Sequence, residues 1–480
     1  MTRTFAVAAA LVGLARAVPS LDAQTPAAPV RTIALVGATV VDGTGAPPLA
    51  DAVVVVEGDR IACVGSGSAC AVPDGAERVE LSGRWLTPGL VDAHVHFSQT
   101  GWHDGRPDGI AAPSVYPYDA TARALRANPE RWFRSYLCSG ITAVFDVGGH
   151  PWTTDLPARA EGDPSAPHVR AAGPLVTWVS NDALDVDDEL YTFLPMGHVE
   201  EARESVRTLE AMGAGAVKVW YLRPPPERRA ELDAILMEIG DAARAAGLDL
   251  IVHATSLREA KQALRAGASM LVHSVQDRPV DDEFLDLLRR NDAIYGPTLV
   301  VGRNWSRAWA AAALGLPYDI DDPGGCVDPE TRRKIADVER LRPFVPERLR
   351  SSRAAFERLE ASGAGIPTMA ENLRRVHGSG ATVVVATDAG NPLTLHGPSI
   401  YREMEAMQRA GLEPGEIVVA ATRNGARALG RRDDLGTLEA GKIADLLVLA
   451  EDPLRDVRAF RTVRRVMRAG VLHAREGLAW

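Results

Sequence analysis

The heptapeptide VDAHVHF, residues 91–97, places His94 and His96 one residue apart inside an apolar run. In a β-strand, residues i and i+2 point to the same face, so both imidazoles face one direction. A buried core is filled more favourably by two valines than by two imidazoles. The pair therefore indicates that these rings face something other than apolar core.

Similar apolar runs recur between residues 86 and 430, including GAVKVWYL, LDLIVHAT, MLVHSV and TVVVATDAG. Amphipathic stretches with helical periodicity, such as HVEEARESVRTLEAMGA, separate most of them. Continuous apolar strands that alternate with helices predict a parallel sheet covered by helices. Eight such units predict an α/β fold, a (β/α)8 TIM barrel. The excess length is assigned to insertions at about 98–135 and about 301–378.

The two ends of the chain differ from the middle. Residues 31–85 and 431–480 consist of short strand patterns separated by turns, without a long helical period. We predict that both ends together form a small β-sandwich domain, and that residues 86–430 form the barrel.

Residues 1–23 resemble a secretory signal peptide, with a positive charge, a short apolar stretch and a small-residue cleavage site. A disordered tail is the alternative. No later segment approaches 18 consecutive apolar residues, so we expect no stable membrane insertion after signal cleavage. The predicted location is secreted or periplasmic.

Charge and cysteine content narrow the class of protein. A formal net charge of -10 without a basic stripe argues against nucleic-acid binding. Cys63 and Cys70 flank a predicted hairpin turn, a spacing compatible with a disulfide in an oxidising compartment. Cys138 and Cys326 are far apart in the sequence and are interpreted as buried thiols.

Polar residues stand near the end of several predicted strands, where a parallel barrel places its catalytic groups. They are His94, His96, Lys218, His253, His273 and Asp388. Four imidazoles and a carboxylate form a divalent-metal environment of the zinc type. Each has a structural alternative: a hydrogen-bonded core histidine, a helix-capping aspartate or an unmodified lysine.

Lys218 does not fit that set as an ammonium, because a cation cannot bind a metal and a bare buried charge is costly. Reaction of the neutral amine with carbon dioxide would give a carbamate, an anion whose two oxygens can bridge two metals. We therefore predict a carbamylated Lys218. A one-metal site with an unmodified lysine is the alternative.

The ordered set HxH, Lys, His, His, Asp resembles the amidohydrolase superfamily of metal-dependent hydrolases. LTPGLVDAHVHF (86–97) is similar to its first-strand motif, and GTLEAGKIADLLVL (436–449) to a strand of its small domain. ATDAGNPLTLHG (386–397) resembles the imidazolonepropionase-like and Xaa-Pro dipeptidase-like branch. The resemblance covers about residues 31–470.

This resemblance implies two divalent metal ions, with zinc expected and Mn, Co or Fe compatible with the same ligands. His94, His96 and Asp388 would hold the more buried ion, and His253 and His273 the more exposed one. Homo-oligomers are an expectation at the level of the family.

The resemblance also implies the chemistry. Carbamylated Lys218 and a hydroxide would bridge the metals, and the hydroxide would attack the scissile carbonyl. Asp388 would accept the proton of the attacking group and pass it to the leaving amine, acting as the catalytic base and then acid.

Three further residues are predicted substrate contacts: Tyr221, His396 and Arg223. The alternatives are loop bracing for His396 and a surface position for Arg223. Both Tyr221 and Arg223 belong to WYLRPPPERR (220–229), where dipeptidase-like relatives have a small, glycine-rich stretch. Asp146, at the end of the second predicted strand, is expected to orient a ligand or a turn.

The leading hypothesis is an exported binuclear hydrolase that cleaves amide bonds of small molecules, either Xaa-Pro dipeptides or N-acyl amino acids. The runner-up is a lactone, cyclic amide or organophosphate triester hydrolase. A metal-stabilised binding protein without turnover is the third possibility. The choice of substrate depends on analogy alone.

Overall fold

The computed structural model describes residues 31–179, 181–350 and 367–480. The predicted signal peptide, residues 1–23, lies outside these ranges, as does the segment 351–366 of the second predicted insertion. Within the described ranges, every helix is too short or too polar to cross a lipid bilayer.

In the middle of the described chain, strands alternate with helices. Near the two chain ends, the strands follow one another without long helices between them. The strands are β1 (Thr32–Val40), β2 (Leu49–Glu57), β3 (Arg60–Ser66), β4 (Glu77–Glu80), β5 (Trp85–Pro88), β6 (Leu90–Val95), β7 (Ile141–Asp146), β8 (His168–Ala171), β9 (Leu175–Thr177), β10 (Phe193–Pro195), β11 (Ala216–Trp220), β12 (Asp249–His253), β13 (Met270–Val272), β14 (Ile294–Gly296), β15 (Thr382–Val383), β16 (Leu446–Leu449), β17 (Val463–Arg468) and β18 (Val471–Ala474).

The described helices begin after β6. They are α1 (Tyr118–Ala127), α2 (Glu130–Cys138), α3 (Leu156–Glu161), α4 (Val199–Ala211), α5 (Arg229–Ala245), α6 (Leu257–Arg265), α7 (Asp282–Arg290), α8 (Val301–Leu314), α9 (Pro329–Ala336), α10 (Glu347–Arg350), α11 (Pro367–Gly378), α12 (Ser399–Ala410), α13 (Pro414–Ala421), α14 (Arg423–Ala428) and α15 (Arg475–Leu478). Short 3-10 turns add Gly67–Ala69, His103–Gly105, Pro151–Asp155, Asp182–Leu184, Val338–Phe344 and Val457–Thr462.

Both chain ends contribute to one mixed sheet. Its strand order is β18-β17-β16-β5-β1-β2-β3, with β4 beside β1. Leu35 and Val54 from the N-terminal end share an apolar cluster with Leu446 and Val448 from the C-terminal end. The two ends therefore bury their apolar side chains together, and the sandwich arrangement of this sheet stays a prediction.

The middle of the chain forms parallel strands covered by helices, in the order β6-β7-β8 and β10-β9-β11-β12-β13-β14-β15. Hydrogen bonds connect the two groups on both sides. Gly215 N donates to Ala171 O at 2.7 Å, and Ala93 N donates to Val385 O at 3.0 Å. This is an α/β arrangement of the TIM-barrel type, and it places the ends of β6, β11, β12, β13 and β15 around one opening.

The helical insertion that follows β14 packs on the insertion that follows β6. Trp102 and Ile110 from the first share a buried cluster with Ala308, Ile335 and Leu341 from the second. The described part of the segment 301–378 contains the helices α8 to α11. Together the two insertions cover one side of the opening.

Two disulfides are present. Cys63–Cys70 joins the middle of β3 to the residue after the turn Gly67–Ala69, as the spacing suggested. The prediction that Cys138 and Cys326 are buried thiols was wrong, because they form a disulfide with a Cα–Cα distance of 5.5 Å. The insertion folds back onto the end of α2, which brings together two residues 188 positions apart. That contact is tertiary and leaves no local signal in the sequence.

Candidate metal centre

The two histidines of the opening motif meet Asp388 at the end of β6. His94 Nε2 and His96 Nε2 are 3.2 Å apart. Asp388 Oδ1 lies 3.3 Å from the first and 2.9 Å from the second. The backbone fixes the carboxylate in place, because Asp388 N donates to His94 O at 2.8 Å. All three side chains are buried.

The remaining predicted ligands complete the same site. The ring centroids of His253 and His273 are 4.3 Å apart, and those of His94 and His273 are 5.1 Å apart. Lys218 is only 1% exposed and lies on β11, the strand next to β12. One cavity of about 230 Å³ is lined by all six predicted ligands: His94, His96, Lys218, His253, His273 and Asp388.

Hydrogen bonds orient two of the imidazoles from behind. His96 Nδ1 donates to Gly148 O at 2.6 Å, and Asp146 Oδ1 accepts a hydrogen bond from Gly148 N at 3.0 Å. Asp146 therefore positions His96 through the backbone of a single residue, Gly148. On the other side, His273 Nδ1 hydrogen-bonds Thr298 Oγ1 at 2.8 Å. Partners of this kind are typical of metal-binding histidines, because they fix the ring and the nitrogen that carries the proton.

The side chains of His94, His96 and Asp388 have the geometry expected of metal ligands. Because His96 Nδ1 donates its proton to a carbonyl, the neutral ring carries a lone pair on Nε2. That lone pair faces Asp388 Oδ1 at 2.9 Å, so two acceptors lie together without a proton of their own between them. Zinc bonds of about 2.0–2.1 Å in a tetrahedral site set ligand-to-ligand edges of about 3.3 Å. The observed separations of 2.9 to 3.3 Å fit a cation at this position.

Burial sets the protonation of the site. It lowers the pKa of His94 and His253 well below the usual value and that of His273 to about 4, so the imidazoles are in the neutral form that binds metals. Burial alone would raise the pKa of Asp388, but the surrounding imidazoles, His94 first, hold it well below its usual value. Burial also lowers the pKa of Lys218 to about 8, which increases the neutral amine available to carbon dioxide.

Asn391 holds the predicted catalytic carboxylate, a role that the sequence reasoning missed. Its Nδ2 donates to Asp388 Oδ1 at 2.7 Å and to Asp388 O at 3.2 Å. Its Oδ1 accepts hydrogen bonds from Trp305 Nε1 at 3.2 Å and from the guanidinium of Arg106. Arg106 and Trp305 donate to the amide oxygen, and Asp388 accepts from the amide nitrogen. These partners allow only one orientation of the Asn391 side-chain amide. The position, three residues after Asp388, was the available signal.

Part of the cavity lining is apolar. This part comes from Trp220 at the end of β11, Phe193 at the start of β10, and Leu175 and Leu184. Trp220 lines the cavity because it follows Lys218 by two residues in a strand and so shares its face.

The three predicted substrate contacts do not line this cavity. Tyr221 is 1% exposed, and its hydroxyl donates to Asp233 Oδ1 at 2.6 Å, on the opposite face of β11 from Trp220. Arg223 is exposed and lines a separate surface pocket. Both predictions were based on closeness in sequence to Lys218. Strand alternation directs Tyr221 to the opposite face of β11, and Arg223 lies beyond the end of the strand, next to the prolines.

His396 lies behind the site and braces it. Its Nδ1 accepts a hydrogen bond from the hydroxyl of Tyr136 at 2.6 Å, and its Nε2 donates to Gln99 O at 3.0 Å. The ring stacks on Trp132 with centroids 4.1 Å apart. Both nitrogens are engaged and the ring is buried, which corresponds to the loop-bracing alternative rather than to substrate contact.

Residues 85–472 match the model of the amidohydrolase family. The chain belongs to the amidohydrolase family. It is similar to the imidazolonepropionase of Streptomyces avermitilis, with 28% identity over 422 residues, 84% of this chain and 83% of that protein. Its fold is similar to that of a Xaa-Pro dipeptidase crystallised with bound methionine, at 21% identity and a TM-score of 0.66 over 92% of this chain and all of that one. The fold of molinate hydrolase is similar as well, at 23% identity and a TM-score of 0.66 over 94% and 96% of the two chains.

These similarities confirm the family resemblance that the strand-end motifs indicated. The enzyme is a metal-dependent hydrolase that acts on carbon–nitrogen bonds. The described residues His94, His96 and Asp388 form a group suited to hold a divalent metal ion.

Proposed function

We propose that this amidohydrolase is an exported enzyme that hydrolyses amide bonds in dipeptides, including the Xaa-Pro type, or in N-acyl amino acids. The observation that supports it most is the convergence of six predicted ligands on one small cavity. The similarity to a Xaa-Pro dipeptidase directs the choice of substrate. We also infer that the parallel strands close into a complete (β/α)8 barrel around this cavity.

The proposed cofactor is a pair of divalent ions, zinc by preference. His94, His96 and Asp388 would hold one ion, and His253 and His273 the other, with Lys218 as a carbamate between them. When bound, such ions polarise a scissile carbonyl and lower the pKa of a water nucleophile.

The protein supplies proton transfer and positioning. Asp388 Oδ1 faces His94 and His96 and accepts the hydrogen bond from Asn391, so this oxygen is committed to the metal side. Its second oxygen, Oδ2, lies 3.9 Å from His273 Nδ1 and is the one assigned to proton transfer. Asp388 accepts a proton there from the attacking water and returns it to the leaving nitrogen, as a general base and then a general acid.

Export is supported by two observations. Residues 1–23 have the pattern of a signal peptide, and two disulfides, Cys63–Cys70 and Cys138–Cys326, join the described chain. Disulfides persist in oxidising compartments and are rare in the cytosol. Expression in a secreting host, followed by mass spectrometry of the intact product, tests the proposal. Loss of about the first 23 residues is expected, and an intact N-terminus in the cytosolic fraction would refute it.

Product detection by mass spectrometry tests the reaction. The enzyme, expressed with zinc and bicarbonate, is offered Xaa-Pro dipeptides, other dipeptides, N-acyl amino acids, lactones and an aryl phosphotriester. We expect free amino acids from the dipeptides or the N-acyl amino acids, and loss of this turnover in Lys218→Ala. Turnover of the lactones or the phosphotriester alone would replace the proposal with the runner-up activity. A metal-loaded enzyme inert to every compound would point to a binding protein.

A further inference from the structure

The apolar wall of the cavity contains a stacked aromatic pair. The rings of Phe193 and Trp220 have centroids 5.4 Å apart and an interplanar angle of 13°. Both side chains are half-buried and line the cavity. Stacked aromatic rings stabilise each other beyond the effect of the area they bury. Each ring of the pair therefore restricts the movement of the other.

The register of the strands places this wall directly beside the predicted metal ligands. Trp220 pairs with His253 across β11 and β12, so the two residues lie at the same level of the sheet. Their rings are perpendicular, at 85°, with centroids 6.1 Å apart. Lys218 lies two residues earlier on the same face of β11. The indole thus occupies the space next to His253, one level above Lys218.

The backbone of the wall is anchored as well. Thr177 Oγ1 donates to Trp220 O at 3.1 Å, and β9 pairs with both β10 and β11. Since Phe193 lies on β10 and Trp220 on β11, both members of the pair are carried by paired strands. The paired strands therefore fix the backbone positions from which both rings project.

The wall limits the space that a substrate can occupy. The cavity holds about 230 Å³, below the range of about 300–1,000 Å³ found for pockets that take drug-sized ligands. Leu175 and Leu184 continue the apolar surface of Phe193 and Trp220. A charged or long side chain directed at these four apolar residues would lose hydration where it contacts them.

We propose that Trp220, supported by Phe193, determines substrate size, and that the enzyme selects small amides whose group on this side of the scissile bond is compact and apolar. The inference rests on the proposed amide hydrolysis. In Xaa-Pro dipeptides, the matching substrates carry a glycine or alanine residue rather than leucine or phenylalanine. In N-acyl amino acids, they carry an acetyl group rather than an octanoyl group.

A graded series of substrates tests this inference. The enzyme is offered Gly-Pro, Ala-Pro, Leu-Pro and Phe-Pro, together with N-acetyl-, N-butanoyl- and N-octanoyl-alanine. Since a hydrophobic pocket discriminates by about 10–200-fold per added methylene, we expect kcat/KM to fall at least tenfold from the smallest to the largest member of the series that is turned over. In Trp220→Ala, the ratio of large to small substrate should rise at least tenfold.

Further variants serve as controls for the effect of Trp220→Ala. Trp220→Phe keeps an aromatic ring and should shift the ratio less than Trp220→Ala does, and Phe193→Leu removes the supporting ring alone. Trp85→Ala removes a half-buried tryptophan from the small sheet, away from the cavity, and should leave the ratio unchanged. Zinc content and thermal unfolding are measured for each variant, which separates a change in size selection from loss of metal or fold.

The outcomes distinguish the two proposals. A shift toward larger substrates in Trp220→Ala, graded through Trp220→Phe, supports the inference. Unchanged ratios in both Trp220 variants and in Phe193→Leu would overturn it and leave amide hydrolysis standing. Wild-type enzyme that cleaves none of the amides would overturn the proposed function itself.

Discussion

Replacement of Asn391 by leucine should impair the enzyme although Asn391 is not a predicted ligand. Asn391 Nδ2 donates to the Asp388 carboxylate at 2.7 Å, and the residue is only 3% exposed. A hydrogen bond to a charged group is worth about 1.5–3 kcal/mol. If this hydrogen bond holds Asp388 in the position needed for catalysis, the whole energy lost with it adds to the activation free energy of hydrolysis. Asn391→Leu should then lower kcat/KM by about 10- to 150-fold, since about 1.4 kcal/mol corresponds to a factor of ten.

Two companion variants separate this effect from general damage. Trp305→Phe removes one hydrogen bond to Asn391 Oδ1 and leaves the contact with Asp388, so kcat/KM should fall by less than in Asn391→Leu. Asn391→Asp places a second carboxylate against Asp388 Oδ1 and should cost at least as much as the leucine, because like charges repel at this distance.

The assay is steady-state hydrolysis of the preferred amide, with zinc content by mass spectrometry and thermal unfolding measured in parallel. Asn391→Leu also leaves Arg106 and Trp305 without this acceptor, so a lower melting temperature is expected. A folded Asn391→Leu enzyme with kcat/KM within a factor of two of wild type would show that the contact does not affect the barrier. A Trp305→Phe enzyme as impaired as Asn391→Leu at equal zinc content would show the same.

Three other expectations follow from buried contacts. Thr298→Val removes the hydroxyl that contacts His273 Nδ1 and should weaken zinc binding by about 10- to 100-fold, whereas Thr298→Ser should retain it; competition with a chelator measures both. Burial raises the pKa of Glu403 to about 8, so its contribution to stability is present below pH 4.5 and is lost as pH rises through 8; chemical unfolding from pH 5 to 8 should show wild type losing stability relative to Glu403→Gln. Replacing Cys138 and Cys326 together by serine opens a loop of 188 residues and should lower the free energy of unfolding by about 2–5 kcal/mol, and an unchanged midpoint in denaturant would contradict this.

The predicted ligands were recognisable because each stands at the end of an apolar strand. A parallel sheet brings strand ends together regardless of the intervening sequence, so His253 and Asp388 converge although 135 residues separate them. The strand pattern therefore predicts which side chains come together, although it does not predict the structure of the segments that connect the strands. The same periodicity of two places Trp220 inward and Tyr221 outward, and applying it to both residues would have removed the error at Tyr221.

The other errors concern contacts without a local signature. The partners of His396 are the Tyr136 hydroxyl and the Gln99 carbonyl, 260 and 297 residues away, and nothing within ATDAGNPLTLHG specifies them. The Cys138–Cys326 disulfide likewise depends on how the insertion folds back onto α2. Such contacts follow from tertiary packing, which strand and helix periodicity do not determine.

Backbone conformation gives independent support for the site. His273, Thr298 and Asp388 follow three successive strands of the sheet, and all have positive φ, at 74°, 44° and 65°. A left-handed conformation costs an L-residue roughly 1–2 kcal/mol, and glycine would avoid this cost at each position. The strain is retained where a particular side chain is required, and non-glycine outliers of this kind cluster at functional sites. His273 and Asp388 are predicted ligands, whereas Thr298 holds the ring of His273. A supporting residue and two predicted ligands thus share one costly conformation, which indicates that the backbone itself sets the positions of the imidazole and the carboxylate.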